Sequence, residues 1–423
     1  MTPTSIHPVQ QAVLDALGPA TRHDPYPAYE VLRAAGPFVP GPLDTRLVTR
    51  HADAEAILSD PTWSHAEERE LLHPSSDVEL PGSFLWMEPP DHTRLRKLVS
   101  AAFTARRIEG LRAHAERVTA GLLDAALAAG EVDLVEALAY PLPLTMVCDL
   151  LGVPPEAHAE VRRMSAGIAR GLDPDALLTA DELAARTRAV HEFTAFFGDL
   201  VAQRRRTLSR GGAGRQSRAQ PRDDLITALA QVADGGDSLS PHEMLGTLLI
   251  LVVAGHETTV NLIGNGMLGL ARRPDQLALL RADPELAAPA VDEMLRHDPP
   301  VHLTTRTARA ATTVAGTAFA PGDAVIVLIG SANRDPDAFP DAATLDITRY
   351  TARPRPRRHL AFGLGLHHCI GAALARLEME VVLRAVAARV DAVELLAEPP
   401  YRPNLVVRGM AQLPVRLHEG DPR

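Results

Sequence analysis

Cys369 sits in the run Phe362-Gly363-Leu364-Gly365-Leu366-His367-His368-Cys369-Ile370-Gly371, followed by Ala372-Ala373-Leu374-Ala375-Arg376-Leu377-Glu378. The second run reads as a helix, so a glycine-rich loop delivers one cysteine to a helix N-terminus. Unpaired N–H groups and the positive end of the helix dipole favour the thiolate there. A thiolate is a strong iron ligand, and glycines on both sides let backbone lie against a large planar cofactor where a side chain would collide. Other chemistries fit less well. The adjacent donors His367, His368 and Cys369 do not close a tetrahedral zinc site, and no CxxC or HxxxH accompanies them. A dinucleotide-binding GxGxxG would need glycine where His368 stands. The other cysteine, Cys148, lies in the apolar stretch Pro143-Leu144-Thr145-Met146-Val147-Cys148 and reads as a small buried hydrophobe.

Two further groups carry chemistry. Ala254-Gly255-His256-Glu257-Thr258-Thr259 interrupts a long apolar helical pattern. Threonine lowers helix propensity and glycine costs about 1 kcal/mol against alanine, a local violation of the kind that marks function. Ala254 and Gly255 leave a shallow hollow for a small ligand. Thr258 can bond its hydroxyl to a carbonyl one turn back, distorting the helix, and Glu257 adds a titratable acid. His256-Glu257 begins like a zinc-protease HExxH, but position 260 is Val. Further on, Glu293-Met294-Leu295-Arg296 sets an acid and a base three residues apart on one helical face.

The cysteine run resembles the haem-binding loop of the cytochrome P-450 superfamily, with Phe, Gly, Gly, His, Cys and Gly where that family has them. Residues 254–259 resemble its A-G-x-[D/E]-T-T oxygen-activation motif, and Glu293 to Arg296 its ExxR, in the family's order; the likeness runs from about Asp24 to Leu417. The resemblance implies a mainly α fold with small β-sheets, haem lying between the long oxygen-side helix and the helix after the cysteine loop. It makes Cys369 the proximal ligand of heme b, with Phe362, Gly363 and Ala254 beside the macrocycle. Thr258 would bond the activated oxygen and Glu257 would relay protons, since splitting O–O needs two. Glu293, Arg296 and Arg349 match the family's structural Glu-Arg-Arg triad. His92, Arg96, Arg306 and His367 match positions that bind the haem propionates.

The implied activity is bacterial-type monooxygenation, C–H hydroxylation or alkene epoxidation of an apolar secondary metabolite such as a macrolide, polyketide or terpenoid. Substrate contacts are expected at Trp86, Val253, Val301, His302 and Val407, with His302 and Thr304 as polar anchors. The chain has no flavin or nicotinamide motif and no iron–sulfur cysteine cluster. Electrons from NAD(P)H are therefore expected through a ferredoxin and ferredoxin reductase, docking near Lys97, Arg106 and Arg107. A peroxide-driven peroxygenase is the rival enzyme, though those relatives replace the acid–threonine pair. A non-catalytic haem carrier is the other rival, and it would need neither Glu257 nor Thr258.

The elements that must position these residues are mostly helical by period. Helices are expected at Ala12–Leu17, Tyr26–Ala35, Ala52–Leu58, His92–Phe103, Arg107–Ala129, Val161–Ala169, Ala180–Arg206, Pro241–Ala271, Pro284–His297 and Arg376–Val390. Strands are expected at Arg46–Arg50, Val406–Arg408 and Gln412–Leu417, and between Thr312 and Gly330 with Pro321-Gly322 as a hairpin turn. Ser64 to Met87 reads as a loop with one short helix. Residues 1–20 read as a flexible N-terminal segment and the Arg/Gly/Ser-rich 209–223 as a flexible loop. No repeat or linker divides residues 1–423, which suggests a single domain.

Composition narrows the partners. The 423 residues are 46% hydrophobic and only 4% aromatic, so Leu, Val and Ala must fill the core. Acidic residues outnumber basic ones 53 to 43, for a net charge of −10, which argues against a general nucleic-acid binder. Two cysteines give no disulfide framework and suit a reducing compartment, so a cytoplasmic location is expected; the protein is also expected to be a monomer. The N-terminus has no apolar signal core. The longest apolar run, Leu248 to Gly255, is too short to span a bilayer.

Overall fold

The computed structural model describes residues 6–66, 71–73, 83–211, 224–234 and 237–420. They group into two compact units, one gathering Met1–Glu68, Glu116–Tyr140 and Thr258–Arg423, the other Arg69–Ala115 and Pro141–Glu257.

In the first unit, five strands pair in the order Phe38–Pro40, Arg46–Val48, Ala324–Leu328, Leu303–Ala308, Trp63–Ser64. Val325-Ile326-Val327-Leu328 is buried on both faces, as a central strand requires. Its side chains alternate between two clusters. Val325 and Val327 join Ile57, Trp63, Phe319, Leu360 and Leu364. Ile326 joins Tyr29, Leu32, Leu47 and Leu303 on the other side. The first cluster matters for the site because Leu360 and Leu364 anchor the chain just ahead of Cys369. In a separate antiparallel sheet, the central strand Pro414–Glu419 pairs with Val390–Leu395 on one side and Glu131–Asp133 on the other.

Several expectations are corrected here. Residues 1–20 are not uniformly loose, because Pro8–Leu17 is a helix whose Ala12 and Ala16 share a cluster with Tyr26 and Tyr29. The hairpin turn is Ala315-Gly316, both at positive φ (46° and 77°), between Thr312–Val314 and Thr317–Phe319. Pro321-Gly322 instead folds onto the end of strand Leu303–Ala308, Gly322 N–H donating to the Ala308 carbonyl at 2.8 Å. Leu303–Ala308 is a strand that its Thr/Arg-rich sequence hid, whereas Val406–Arg408 makes only a bridge, Val407 opposite Val301. The helix expected over Arg107–Ala129 divides into Ala105–Glu109 and Arg112–Ala129, because Thr104 caps the first and Gly110 ends it. Pro284–His297 divides likewise into a 3-10 turn capped by Asp283 and the helix Ala287–His297.

In the second unit, Gly167 lets helix His158–Arg170 approach Ala180–Gly211, since a Cβ there would fall 2.9 Å from the Ala189 methyl. Asp224 caps Leu225–Gln231 by accepting from Thr227 N–H at 2.7 Å, and Arg204 Nε donates to the same carboxylate at 3.0 Å. The helix expected to stop at Arg206 continues to Gly211, and residues 212–223 of the expected loop lie outside the described residues.

Pro241–Arg272 is one unbroken helix of 32 residues. By length and composition it could cross a membrane, contrary to the reading from its apolar run alone, but 78% of its most apolar window is buried inside the protein. Toward its C-terminal end, a Cβ at Gly266 would lie 2.5 Å from Met379 and 2.8 Å from Met294. With glycine there, the two methionine side chains lie against the helix; a larger residue would make their flexible ends shift.

Candidate active site

Cys369 is exposed and Cys148 is buried, its thiol pushed up to about 12 by burial. Gly365 has φ +65° and a Cβ there would sit 2.7 Å from the Leu58 carbonyl, so handedness and space both demand glycine. Gly363 has φ +63°, and its Cβ would meet only the His367 carbonyl oxygen, 3.8 Å away, leaving that side of the loop open. Cys369 N–H donates to the Phe362 carbonyl at 2.9 Å, and Gly363 N–H to the Leu360 carbonyl at 2.9 Å. Helix Ala372–Arg389 starts from Gly371, which caps with no side chain. The cysteine thus stands two residues ahead of the cap rather than in the helix. It faces the positive potential of the first-turn N–H groups.

Behind the loop, Glu293 and Arg296 are fully buried and bonded bidentately, Nε to Oε2 and Nη2 to Oε1, each at 2.7 Å. Arg349 Nε donates to the same carboxylate at 3.1 and 3.2 Å. Arg296 also donates to the carbonyls of Asn333, Ala342 and Thr344, and Arg349 to that of Pro340. One carboxylate therefore pins the irregular Pro336–Pro356 chain to helix Ala287–His297 through two guanidinium groups.

The anion-binding candidates fall in both units. Arg306 is 5% exposed and donates to Thr304 Oγ1 at 3.0 Å. His367 ends the 3-10 turn Gly365–His367, and its ring centroid is 5.4 Å from that of His65. His65 carried no sequence signal beyond being a lone histidine after an apolar tryptophan. In the second unit His92 is buried in helix Asp91–Ala102, with Arg96 one turn on. Burial, then the Arg96 charge, lowers the His92 pKa. On the same helix Arg94 is tied to Asp237 at 3.0 Å and to Glu243.

On the long helix, every residue from Gly246 to Leu268 is buried except Ala254, Gly255 and Thr258. These three share one stripe at i, i+1 and i+4, and a Cβ at Gly255 would meet nothing within 4 Å. Glu257 and Thr259 are each 3% exposed, and buried His256 has Nδ1 3.4 Å from Ser165 Oγ. Glu257 does not reach the surface directly.

The expected substrate contacts divide. Trp86, in the 3-10 turn Phe84–Trp86, and Val301 are half-buried and available. Trp86 Nε1 is buried with no hydrogen-bond partner among the described residues. Val253 and Val407, 1% and 5% exposed, are packed instead: a 100° step per residue turns Val253 inward beside Ala254, and Val407 is bridged to Val301. His302 is also corrected. Its Nδ1 lies 3.1 Å from the Tyr29 hydroxyl and its Nε2 3.5 Å from Asp298, within a buried network that includes Arg408 and Tyr26. Burial drives its pKa down to about 4, so it is a neutral structural imidazole.

Among the described residues, no group of three His, Cys, Asp or Glu converges as a metal site. Cys369 stands exposed in a glycine loop with one open side, and on the long helix Gly255 adjoins open space on the part-exposed stripe that also carries Thr258. The chain belongs to the cytochrome P450 family, whose description matches residues 38–285 and 280–389. The cytochrome P450 monooxygenase PikC of Streptomyces venezuelae is 41% identical over 420 residues, 96% of this chain and 94% of PikC. The 6-deoxyerythronolide B hydroxylase of Saccharopolyspora erythraea is 40% identical over 415 residues, 93% of this chain and 96% of that enzyme. The solved structure of the bacillaene polyketide synthase cytochrome P450 PksS of Bacillus subtilis matches with TM-score 0.82 at 32% identity, covering 98% of this chain and all of PksS. The protein is thus a haem-dependent monooxygenase that uses O2, a small-molecule substrate and electrons from separate redox partners.

Proposed function

We propose that the enzyme oxidises a macrolide-type polyketide, placing one atom of O2 in a C–H bond or alkene, with Cys369 as the haem ligand. The observation that carries the reading is the exposed Cys369 in a loop whose glycines keep one side open. The residues fit the cofactor one by one. In the first unit Gly363, beside Phe362, leaves room for a flat ring and Arg306 and His367 suit carboxylates; in the second, Gly255, beside Ala254, adjoins open space and His92 and Arg96 suit carboxylates as well. Bound there, haem supplies the reductive activation of O2. Overall, substrate, O2, two electrons and two protons give oxygenated product and water. Thr258 holds its hydroxyl on the open stripe to direct those protons, and Glu257 passes them along from the buried side. The Trp86 indole N–H supports an oxygen-bearing substrate, since it would donate to a carbonyl or hydroxyl.

The electrons come singly from a ferredoxin, reduced by NAD(P)H through a ferredoxin reductase. Lys97 and Arg106 are exposed and Arg107 is half-buried, a local basic face for an acidic carrier on a chain of charge −10. Residues 1–423 act as one catalytic domain, monomeric and cytoplasmic. The test is turnover of polyketide macrolactones with a ferredoxin, its reductase and 18O2. One labelled oxygen per product supports the reading. Product labelled only from added peroxide would favour a peroxygenase, and absence of product alongside stable haem would favour a carrier.

A further inference from the structure

Residues 65, 304, 306 and 367, far apart in sequence, meet within the first unit. His65 follows strand Trp63–Ser64, which pairs with the end of Leu303–Ala308 through Trp63 opposite Ala308 and Ser64 opposite Thr307. That pairing puts His65 Nε2 3.3 Å from Thr304 Oγ1, the oxygen that accepts from Arg306 Nη1 at 3.0 Å. The His65 ring lies against the His367 ring at 5.4 Å between centroids and 32° between planes. His65 and Arg306 are each 5% exposed.

We propose that His65 is a third anion-binding residue beside Arg306 and His367, donating to one carboxylate of the haem; the proposal rests on haem binding at Cys369. A guanidinium only donates, so Arg306 occupies one lone pair of Thr304 Oγ1, and the hydroxyl keeps a proton that it can offer to His65 Nε2. In the tautomer in which Nε2 accepts, the ring proton is on Nδ1, the nitrogen that we assign to the carboxylate. The backbone that carries His65 is held rigidly. Trp63 is 3% exposed, and its ring meets Phe319 edge-on at 5.0 Å. The donor is therefore oriented before the carboxylate arrives, which keeps the ordering cost of binding small. Three nitrogen donors from three segments, two joined through Thr304 and the third stacked on the His65 ring, suit a carboxylate better than a neutral acceptor.

The test uses purified holoenzyme of wild type, His65→Phe and His65→Gln. Phenylalanine keeps the ring stack and removes the donor, and glutamine restores a donor. Haem transfer to excess apomyoglobin is followed together with the midpoint potential. A charge-assisted hydrogen bond is worth about a tenfold or larger change in transfer rate. His65→Phe should release haem about tenfold faster and shift the potential negative, because the carboxylate charge is less neutralised; His65→Gln should lie within about threefold of wild type. Wild-type transfer rate and potential in His65→Phe would overturn the proposal, even if that variant weakens the substrate-induced spectral shift. Equal acceleration in both variants, with unchanged far-ultraviolet dichroism, would also overturn it, because lost packing would then be the cause. Absence of a thiolate-type carbon monoxide spectrum in the wild type would defeat the haem reading itself, which separates the two failures.

Discussion

The guanidinium carbon of Arg376 lies 4.5 Å from the centroid of the Phe362 ring. Asp292 holds that guanidinium, accepting from Nε at 3.0 Å, and its Oδ1 also sits 3.2 Å from His359 Nε2. Burial pushes the Asp292 pKa up, but the His359 bond and the Arg376 charge outweigh it and the pKa is lowered. The helix that follows the cysteine therefore reaches back and clamps the residue whose carbonyl accepts the Cys369 N–H.

A half-exposed cation–π contact is worth about 0.5–1 kcal/mol. Arg376→Met and Asp292→Asn should each loosen the loop. On mild heating, the reduced carbon monoxide complex should then pass from its thiolate to its thiol-type spectrum about two- to fivefold faster than wild type. An unchanged rate in Arg376→Met would show that the ring is held without the clamp.

Ligand identity separates the two cysteines. Cys369→Ser should lose the strongly red-shifted Soret band of the reduced carbon monoxide complex, and Cys148→Ser should keep it. Cys148 is fully buried, and a thiol pushed up to about 12 stays protonated. The cost of Cys148→Ser should be stability alone, roughly 1–3 kcal/mol for a buried hydroxyl. Retention of the band in Cys369→Ser would overturn the assignment.

Removing Arg296 takes both 2.7 Å bonds from the buried Glu293 carboxylate and leaves it to Arg349 alone at 3.1 and 3.2 Å, a loss that approaches the roughly 3–5 kcal/mol of a broken buried pair. Against a typical total of roughly 5–15 kcal/mol, that is a large fraction. Arg296→Met should therefore accumulate as aggregated protein, and any soluble fraction should carry little haem. Arg349→Met, whose partner is still paired to Arg296, should do less harm. The haem-to-protein absorbance ratio and the urea midpoint rank the three proteins, and a milder effect from Arg296→Met than from Arg349→Met would contradict the geometry.

How much of this was legible in the sequence depended on separation along the chain. The cysteine loop, the ExxR and the acid–threonine step are local, so spacing and residue type carried them, and helical periodicity placed most helix cores within a few residues. His65 pairing with Thr304, Asp292 with Arg376, and His302 with Tyr29 depend on contacts between distant segments, which no local pattern encodes. The burial of Val253 and Val407 was illegible for a finer reason. One step along a helix or strand turns a side chain from open to packed, and only the tertiary structure fixes that phase.

Glu378 gives the protein a pH signature. It is 1% exposed, and its Oε2 has no partner among the described residues. Burial alone pushes its pKa from 4.5 up to about 8. The folded chain thus keeps a proton that the unfolded chain releases. The contribution of this group is fully present below pH 4.5 and is lost as pH rises toward about 8. The slope is about 1.4 kcal/mol per pH unit. Glu378→Gln has no proton to lose, so its stability relative to wild type should rise by that slope across the window. Urea unfolding of both proteins at pH 5.5, 7 and 8.5 (about one and a half units apart) reads the difference. A difference independent of pH would mean that Glu378 is ionised in the fold.

Thr258 and Thr259 are adjacent, yet only Thr258 lies on the part-exposed stripe, and Thr259 is 3% exposed. Neighbouring helix residues point about 100° apart, so one hydroxyl at most can serve bound oxygen. Thr258→Ala should keep the haem, the carbon monoxide spectrum and substrate binding. Without the hydroxyl, protons are no longer steered to the oxygen that leaves as water, and reductant should drain into hydrogen peroxide, with product per reductant falling several-fold. Glu257→Gln acts on a different step. A buried acid that hands on protons limits their delivery, so overall turnover should fall by about tenfold or more. Thr259→Ala is the control and should stay close to wild type in coupling. Product and peroxide per reductant consumed, measured in all four proteins, decide the assignment. Heavy peroxide release from Thr259→Ala with normal coupling in Thr258→Ala would move the role by one residue. Normal coupling in every variant would mean that substrate or bulk water supplies the protons.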